Sequence, residues 1–267
     1  MKSILVIPVY KEVLNKNEEM SLLQCIRVLH RHTFCLICSQ NLNISAYKKI
    51  FNLYDKDFQV ELFDEFYFDT IVGYNQLMLS RHFYERFSPW KYILVYQLDA
   101  FVFKDEVDYW CSQGYDYIGA PWMKLNGKLD YENSGNGGFS LRKTDSFIEL
   151  FDHKGQLLTF KGLQCLYRYR GPIRKPFSIL MGLFGWHNSL PYFLDDNINE
   201  DLFYVTLKHK KGIKFNIPKS DVAMRFSFEC NPKLLYELSG NNLPFGCHAW
   251  EKHQYDEFWE QFIPTPK

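Results

Sequence analysis

The run Tyr92-Ile93-Leu94-Val95-Tyr96-Gln97-Leu98-Asp99-Ala100-Phe101-Val102-Phe103 constrains the fold more than any other part of the chain. Its first half is apolar or aromatic and rich in branched side chains, the pattern of a central strand covered on both faces of a sheet. A carboxylate in such a run is costly to bury unless it is paired or bound to a cation. Ligands of α/β sheets bind at the carboxyl ends of strands, which makes Asp99 a candidate metal or substrate ligand. The alternative is a strand-end aspartate that caps a turn, and the segment by itself leaves both readings open.

The hundred residues before Asp99 alternate between strand and helix patterns. Ile4 to Ile7 reads as a short buried strand stopped by Pro8. Leu22, Leu23, Ile26 and Leu29 have helical spacing and predict a helix over Met20–His30, followed by a strand over Phe34–Cys38. A second helix is expected over Ser45–Tyr54 with Ser45 as its cap, then a strand over Phe58–Phe63. Ile71, Tyr74, Leu77, Met78 and Phe83 predict one long amphipathic helix over Thr70–Phe87. This alternation predicts an α/β fold with a mostly parallel, doubly wound central sheet flanked by helices. Further strands are expected over Tyr115–Ile118 and Gly138–Leu141, and a helix over Asp145–Phe151. No linker or repeat interrupts the 267 residues, so one domain is expected.

Composition narrows the classes. Lys plus Arg and Asp plus Glu both total 31, which leaves no global charge to suggest nucleic acid as a partner. The 24 Phe, 18 Tyr and 6 Trp suit either an aromatic core or platforms for sugar rings, and composition does not choose. Seven cysteines, an odd number without a dense framework, point to free thiols in a reducing compartment. Cys35 and Cys38 have CxxC spacing, but residues three apart on a strand point to opposite faces, so they are expected in the core rather than on a shared metal. The amino-terminal apolar stretch is too short for a signal peptide, and no stretch approaches the ~20 apolar residues of a transmembrane helix. The expected location is the cytoplasm, with a peripheral place at the inner face of a membrane as the further expectation.

Residues 153–194 stand apart. They contain no Asp or Glu but hold Lys154, Lys161, Arg168, Arg170, Arg174 and Lys175, interleaved with Tyr167, Tyr169, Phe177, Phe184 and Trp186. Such a basic aromatic insertion suits an anionic membrane surface or a phosphate-bearing acceptor, or else a solvated loop with a small core of its own.

Three polar motifs lie downstream of Asp99. The glycines of Asn133-Ser134-Gly135-Asn136-Gly137-Gly138-Phe139-Ser140-Leu141-Arg142 permit close approach of a ligand, though a tight turn explains them equally well. Glu200 and Asp201 open an apparent helix, where a carboxylate either caps the amino terminus or serves as a general base. In Pro244-Phe245-Gly246-Cys247-His248, the histidine is either a structural residue or a partner for Asp99 on one divalent ion.

Taken in order, these pieces resemble a family of uncharacterised GT-A-fold glycosyltransferases found largely in microbial polysaccharide loci. The matching segments are Ile7-Pro8-Val9-Tyr10, Tyr74-Asn75-Gln76-Leu77-Met78-Leu79-Ser80, Tyr96-Gln97-Leu98-Asp99, Tyr117-Ile118-Gly119-Ala120-Pro121-Trp122, the glycine-rich segment ending at Arg142, Glu200-Asp201, Phe226-Ser227-Phe228-Glu229 and the His248 motif. The resemblance implies a single GT-A-like domain, with a nucleotide-binding half over about residues 1–105 and an acceptor half over about 106–267. It implies a metal-dependent transfer of a sugar from a nucleotide sugar, UDP-linked, to a glycan or lipid-linked acceptor in surface-polysaccharide assembly. Pro8, Val9 and Tyr10 would border the base, Asn75, Gln97 and Asp99 the rest of the donor, and Trp122, Asn136, Gly137 and Gly138 the donor sugar and acceptor. Mn2+ or Mg2+ would be held by Asp99 and His248, because Gln97 replaces the first carboxylate of the DxD motif of related enzymes and supplies no charge. Asp201 would deprotonate the acceptor hydroxyl, with Glu200 as the rival base, in an inverting displacement.

The loss of that carboxylate makes a catalytically inactive carbohydrate-binding protein on the same fold the main alternative. A sugar nucleotidyltransferase would carry a Gly-rich, Arg-containing loop where this chain has Pro8-Val9-Tyr10-Lys11-Glu12. A purely structural interaction domain would not cluster polar residues at its strand ends.

Overall fold

The computed structural model describes residues 2–263 apart from 125, 168–170, 187, 191 and 193–198. Strands and helices alternate through β1 (Ser3–Pro8), α1 (Lys16–Val28), β2 (Thr33–Ser39), α2 (Ser45–Asn52) and β3 (Phe58–Phe63). Three short helices, α3 (Phe66–Asp69), α4 (Ile71–Met78) and α5 (Arg81–Arg86), lead into β4 (Tyr92–Tyr96). Beyond it come β5 (Ala100–Val102), α6 (Val107–Ser112), β6 (Tyr117–Met123), β7 (Leu129–Lys143) and α7 (Thr144–Phe151). The remainder holds α8 (Phe160–Leu166), α9 (Arg174–Leu183), α10 (Glu200–Thr206), α11 (Ser220–Phe226), β8 (Ser227–Phe228), α12 (Pro232–Leu238) and β9 (Gly246–His248).

The main sheet has the order β3-β2-β1-β4-β7-β6. Its first four strands run parallel, and β7 and β6 add an antiparallel edge. Alternate residues feed two cores. Ile4, Val6, Ile93 and Val95 face one side, while Leu5, Ile7, Leu94 and Tyr96 face the other. Cys35 and Cys38 fall on opposite sides, as the strand geometry requires, and both are buried free thiols. Helices cover both faces, so the mostly parallel sheet flanked by helices is the observed architecture.

A second, three-stranded sheet has the order β5-β9-β8, with β5 antiparallel and β8 parallel to β9. The strand expected to carry Asp99 at its end stops short of it, and a second strand begins just beyond. β4 ends at Tyr96, residues 97–99 turn, with the Ala100 N–H donating to the Gln97 carbonyl at 2.9 Å, and β5 enters the other sheet. The polar residues of the run mark this change of sheet.

Local polar chemistry shifts several other boundaries. α1 starts four residues ahead of its expected start because Asn15 and Glu18 form a reciprocal capping box, with the Glu18 N–H donating to Asn15 Oδ1 at 2.8 Å and the Asn15 N–H to Glu18 Oε2 at 2.9 Å. Ser45 is the first residue of α2 rather than its cap, and Ile44 holds the cap position without a side-chain bond. The long helix expected over Thr70–Phe87 is broken at Leu79-Ser80. The hydroxyls of Thr70 and Ser80 accept from the N–H groups of Gly73 and Phe83, at 3.0 and 3.1 Å, and start separate helices. β7 is much longer than the expected Gly138–Leu141 segment, and it crosses the molecule beside β4. No helix among the described residues is long and apolar enough to cross a membrane. Arg168, Tyr169 and Arg170 of the basic tract lie outside the described residues.

One ion pair fastens β7 to α10. Arg142 Nη2 donates to Glu200 Oε1 at 2.9 Å, with the Arg142 and Glu200 side chains only 0% and 5% exposed. Tyr84 Oη accepts from Arg142 Nη1 at 3.0 Å, and Ser140 Oγ accepts from Nε at 3.1 Å. Removing one partner of such a pair leaves an uncompensated buried charge. Glu200→Ala is expected to cost about 3–5 kcal/mol in urea unfolding. Replacing both Arg142 and Glu200 by leucine should cost less than that single change, and a single variant unfolding with wild-type stability would show that the pair does not anchor α10.

Candidate active site

The strand pairing of the small sheet assembles the most polar cluster of the molecule. Ala100 of β5 pairs with His248 of β9, which brings Asp99 against the imidazole. Phe228 of β8 pairs with Cys247, which brings Glu229 to its other side. His248 Nε2 lies 3.0 Å from Asp99 Oδ1 and 3.1 Å from Gln97 Oε1, and Nδ1 lies 3.1 Å from Glu229 Oε2. Lys252, in the turn after β9, donates to Asp99 Oδ2 at 3.0 Å. Glu229 also belongs to a second grouping, in which its carboxylate, the Cys230 sulfur and a ring nitrogen of His253 lie within 4.8 Å of one another.

This cluster forms one wall of a cleft of about 790 Å3. Of the residues expected from sequence, Pro8, Tyr10, Asn75, Gln97, Asp99, Asn136, Gly137, Gly138, Glu200, Asp201 and His248 line it together. Two do not. Val9 is fully buried, and its N–H donates to the Ile37 carbonyl at 2.9 Å, so it belongs to the core beside β2. Trp122 lies on β6, the edge strand one position beyond β7, and is not among the lining residues. Lys11, Lys252 and Glu251 also line the cleft and were not singled out from sequence. Lys252 follows His248 by four residues in an irregular turn, a spacing with no periodic pattern to mark it.

The glycines of β7 act by space rather than by loop conformation. They form part of a strand, and a Cβ built on Gly138 would fall 2.0 Å from His248 Nε2, while one on Gly137 would fall 2.3 Å from Glu200 Oε1. Gly135 alone of the three has a positive φ, of 117°. Gly138 therefore lets the strand pass under the imidazole, and its carbonyl accepts from the Gln97 N–H at 3.0 Å.

The donor set fits a small divalent ion. The distances from His248 Nε2 to Asp99 Oδ1 and to Gln97 Oε1 are hydrogen-bond lengths, and they are also close to the roughly 2.9 Å between adjacent ligands of an octahedral ion such as Mg2+. Glu229 stands where a carboxylate orients a ligating imidazole.

Glu200 and Asp201, adjacent in sequence, have different surroundings. Glu200 accepts from Arg142 in the interior and also lines the cleft. Asp201 is pushed up to about 7 by burial, with the negative charge of Glu200 adding to the effect. The Leu202 N–H, donating to Asp201 Oδ1 at 2.6 Å, opposes this shift and does not overcome it. Burial also acts against Asp99, but the hydrogen bonds and charges of His248 and Lys252 hold its carboxyl well below the usual range. For His248, burial lowers the pKa, and Glu229 and Asp99 together bring it up to about 10.

These shifts set the pH dependence of folding. Asp201 binds its proton more tightly folded than at its ordinary value of 3.8, so its ionisation weakens folding as pH rises from there to about 7. The Asp99 contribution is present at neutral pH and is lost on acidification. The His248 contribution is full below its ordinary value of 6.5 and is lost as pH climbs towards 10. Asp201→Asn should therefore gain more stability over wild type at roughly pH 7.5 than at roughly pH 4.5 in urea unfolding, and an equal gain at both would contradict the raised Asp201 pKa. Gly138→Ala should cost about 1–3 kcal/mol and shift the His248 ring resonances in NMR spectra; an unmoved imidazole would contradict the close packing of β7.

The comparisons with known proteins bear on the fold and the family. No curated protein sequence matches the chain. Among solved structures, the bifunctional glycosyltransferase WbbM in its apo form is 7% identical with a TM-score of 0.50, the match covering 99% of this chain and 50% of that one. The chain thus spans about half the length of WbbM, and at this identity the likeness is one of fold. The apo glycosyltransferase GlyE of Streptococcus pneumoniae TIGR4 is 11% identical with a TM-score of 0.49, over 93% of this chain and 54% of its own. Core-mannan synthase A of Aspergillus fumigatus, in a Mn/GDP form, is 8% identical with a TM-score of 0.48, over 81% of this chain and 72% of its own. A family model matches residues 57–248, from just before β3 to the end of β9, and so takes in the Gln97–Asp99 turn, the glycines of β7, Asp201 and His248. The chain belongs to this family, described as Protein of unknown function (DUF5672).

Proposed function

We propose that the protein is a glycosyltransferase that moves a sugar from a UDP-linked donor to the hydroxyl of a glycan or lipid-linked acceptor, with inversion, in surface-polysaccharide assembly. The observation that carries this reading is the meeting, in one cleft, of a carboxylate with a pKa of about 7 and a cluster suited to a diphosphate. Asp201 is poised to accept a proton near neutral pH, which is what a general base for a sugar hydroxyl requires. Gln97, Asp99, His248 and Lys252 form the opposite chemistry, a place for negative charge and its counter-cation. The sugar donor and the UDP assignment rest on the resemblance of the chain's motifs, in order, to those of GT-A-fold glycosyltransferases.

In this reading the acceptor oxygen bonds to the anomeric carbon as the bond from that carbon to the diphosphate breaks. The acceptor proton passes to Asp201, and the electron pair of the broken bond leaves on the diphosphate. Gln97, Asp99 and His248 would hold Mn2+ or Mg2+, which when bound neutralises charge developing on the departing diphosphate. Lys252 adds a positive charge beside the same position. Glu200 serves as a positioning residue, because its bond to Arg142 fixes the first turn of α10 and with it Asp201. Tyr10 and Pro8, which line the cleft, would border the nucleotide, and Asn136 to Gly138, which also line it, would face the donor sugar and acceptor. The nucleotide half covers about residues 1–105 and the acceptor half about 106–267.

A thermal-shift screen of nucleotide sugars with and without Mn2+ is expected to raise the melting temperature for a UDP-linked sugar, because a ligand of the native state stabilises it. Asp201→Asn should keep that shift and lose about 100-fold or more in transfer rate, as loss of a general base does. Asp99→Ala and His248→Ala should lose both the shift and the transfer. A sugar that binds without any donor turnover would instead favour the inactive carbohydrate-binding protein, and wild-type turnover by Asp201→Asn would move the base elsewhere.

A further inference from the structure

α9 is built inside out. A surface helix ordinarily turns its large apolar residues to the core and its polar ones to water. Here Ile173, Phe177, Leu180 and Phe184 recur on one stripe at helical spacing, and they are 85%, 61%, 51% and 74% exposed. Trp186, just beyond the helix, is 65% exposed. The opposite side carries the packing through Ser178, Ile179 and Gly182. The absence of a side chain at Gly182 matters there, since a Cβ would fall 2.7 Å from Leu163 of α8. Ser178, Ile179 and Gly182 face inward, and Ile173, Phe177, Leu180 and Phe184 face outward. A contiguous apolar surface of this kind on a folded protein marks a contact site.

The charge around the stripe says what covers it. Residues 153–194 hold six cations and no acid, while the whole chain has 31 of each sign, so the rest carries an excess of acids. Lys161 and Arg174, at the starts of the two helices, are exposed. An anionic surface would attract this tract and repel the rest of the protein, which fixes orientation as well as attachment. Aromatic and leucine side chains projecting between cations, with a tryptophan at the edge, are suited to the boundary of headgroups and acyl chains. A water-soluble acidic partner would match the cations but not the depth of exposed Ile, Phe, Leu and Trp.

We infer that the outward stripe of α9, with Lys161, Arg174 and Trp186, is a docking face for an anionic lipid bilayer. α8, on which α9 packs, also packs on α10, whose first residues Glu200 and Asp201 line the cleft. Docking therefore ties the helix that carries Asp201 to the lipid surface through α8. Resting on the proposed transfer reaction, this makes a lipid-borne acceptor the substrate class served by that helix.

The test is co-sedimentation of the full chain with vesicles of phosphatidylcholine alone and of phosphatidylcholine mixed with phosphatidylglycerol, without nucleotide sugar. Wild type should sediment with the mixed vesicles and weaken as salt is raised, because screening shortens the reach of the cations. The triple variant Phe177→Ser, Leu180→Ser, Phe184→Ser and the double variant Lys161→Gln, Arg174→Gln should each bind about tenfold more weakly or worse. Both alter exposed positions, and unchanged thermal unfolding checks that they fold. No binding by wild type, or wild-type binding by the triple variant, overturns the inference. A concentration-dependent dimer in sedimentation velocity that the triple variant abolishes would overturn it in favour of a second copy of the chain. Donor turnover on a water-soluble acceptor without vesicles tests the transfer reading separately, so failure of one leaves the other standing.

Discussion

The buried pair of Arg142 and Glu200 is the constraint from which the cleft takes its shape. A charge that deep survives only if it is paired and its remaining donors are satisfied, and Arg142 meets this with Glu200, Tyr84 and Ser140. The requirement locks α10 to β7 at one register. It also divides the labour of two neighbouring carboxylates. Glu200 is used up holding the interior together, and its charge then helps to keep Asp201 protonated to about neutral pH. The two residues have the same chemistry and line the same cleft, but Glu200 accepts from Arg142 while Asp201 accepts, among the described residues, only from the N–H of its neighbour Leu202.

The second organising centre is His248. It joins the main sheet to the small one, since Gln97 follows β4, Asp99 precedes β5, and Glu229 follows β8. With Gly138 beneath it, the imidazole is held from four sides. The two carboxylates flanking it favour the positive charge of an imidazolium and, against the opposing effect of burial, push its pKa up to about 10. The same ring and oxygens are spaced for a divalent ion. In either state the Gln97–Asp99 turn carries a cation at its side, paired with the Asp99 carboxylate.

Much of this was legible in the chain. The alternation of apolar residues in β1, β2 and β4 gave the parallel sheet, because a strand covered on both faces needs no polar positions. Asp99, Asp201 and His248 stood out as polar residues at the ends of apolar runs, and the fold gathers them into one cleft. Local reading failed where side chains bond to backbone. Thr70 and Ser80 start helices inside a stretch that periodicity joins into one, and Asn15 and Glu18 extend α1 beyond its apolar stripe. Val9 shows the reverse error: it adjoins Pro8 and Tyr10 in sequence, but strand alternation sends it to the core.

The sequence by itself determined the parallel strands, the burial of Cys35 and Cys38 and several of the polar residues that line the cleft, because these depend on periodicity and on the cost of burying charge. The tertiary structure decided which carboxylate of Glu200-Asp201 pairs with Arg142, that the run through Asp99 changes sheets, and that Glu229 and Lys252 join the cluster of His248 and Asp99. Those outcomes depend on pairings between segments far apart in the chain, such as Arg142 with Glu200 and Ala100 with His248. No local pattern encodes them, since each partner's environment exists only when the other is in place.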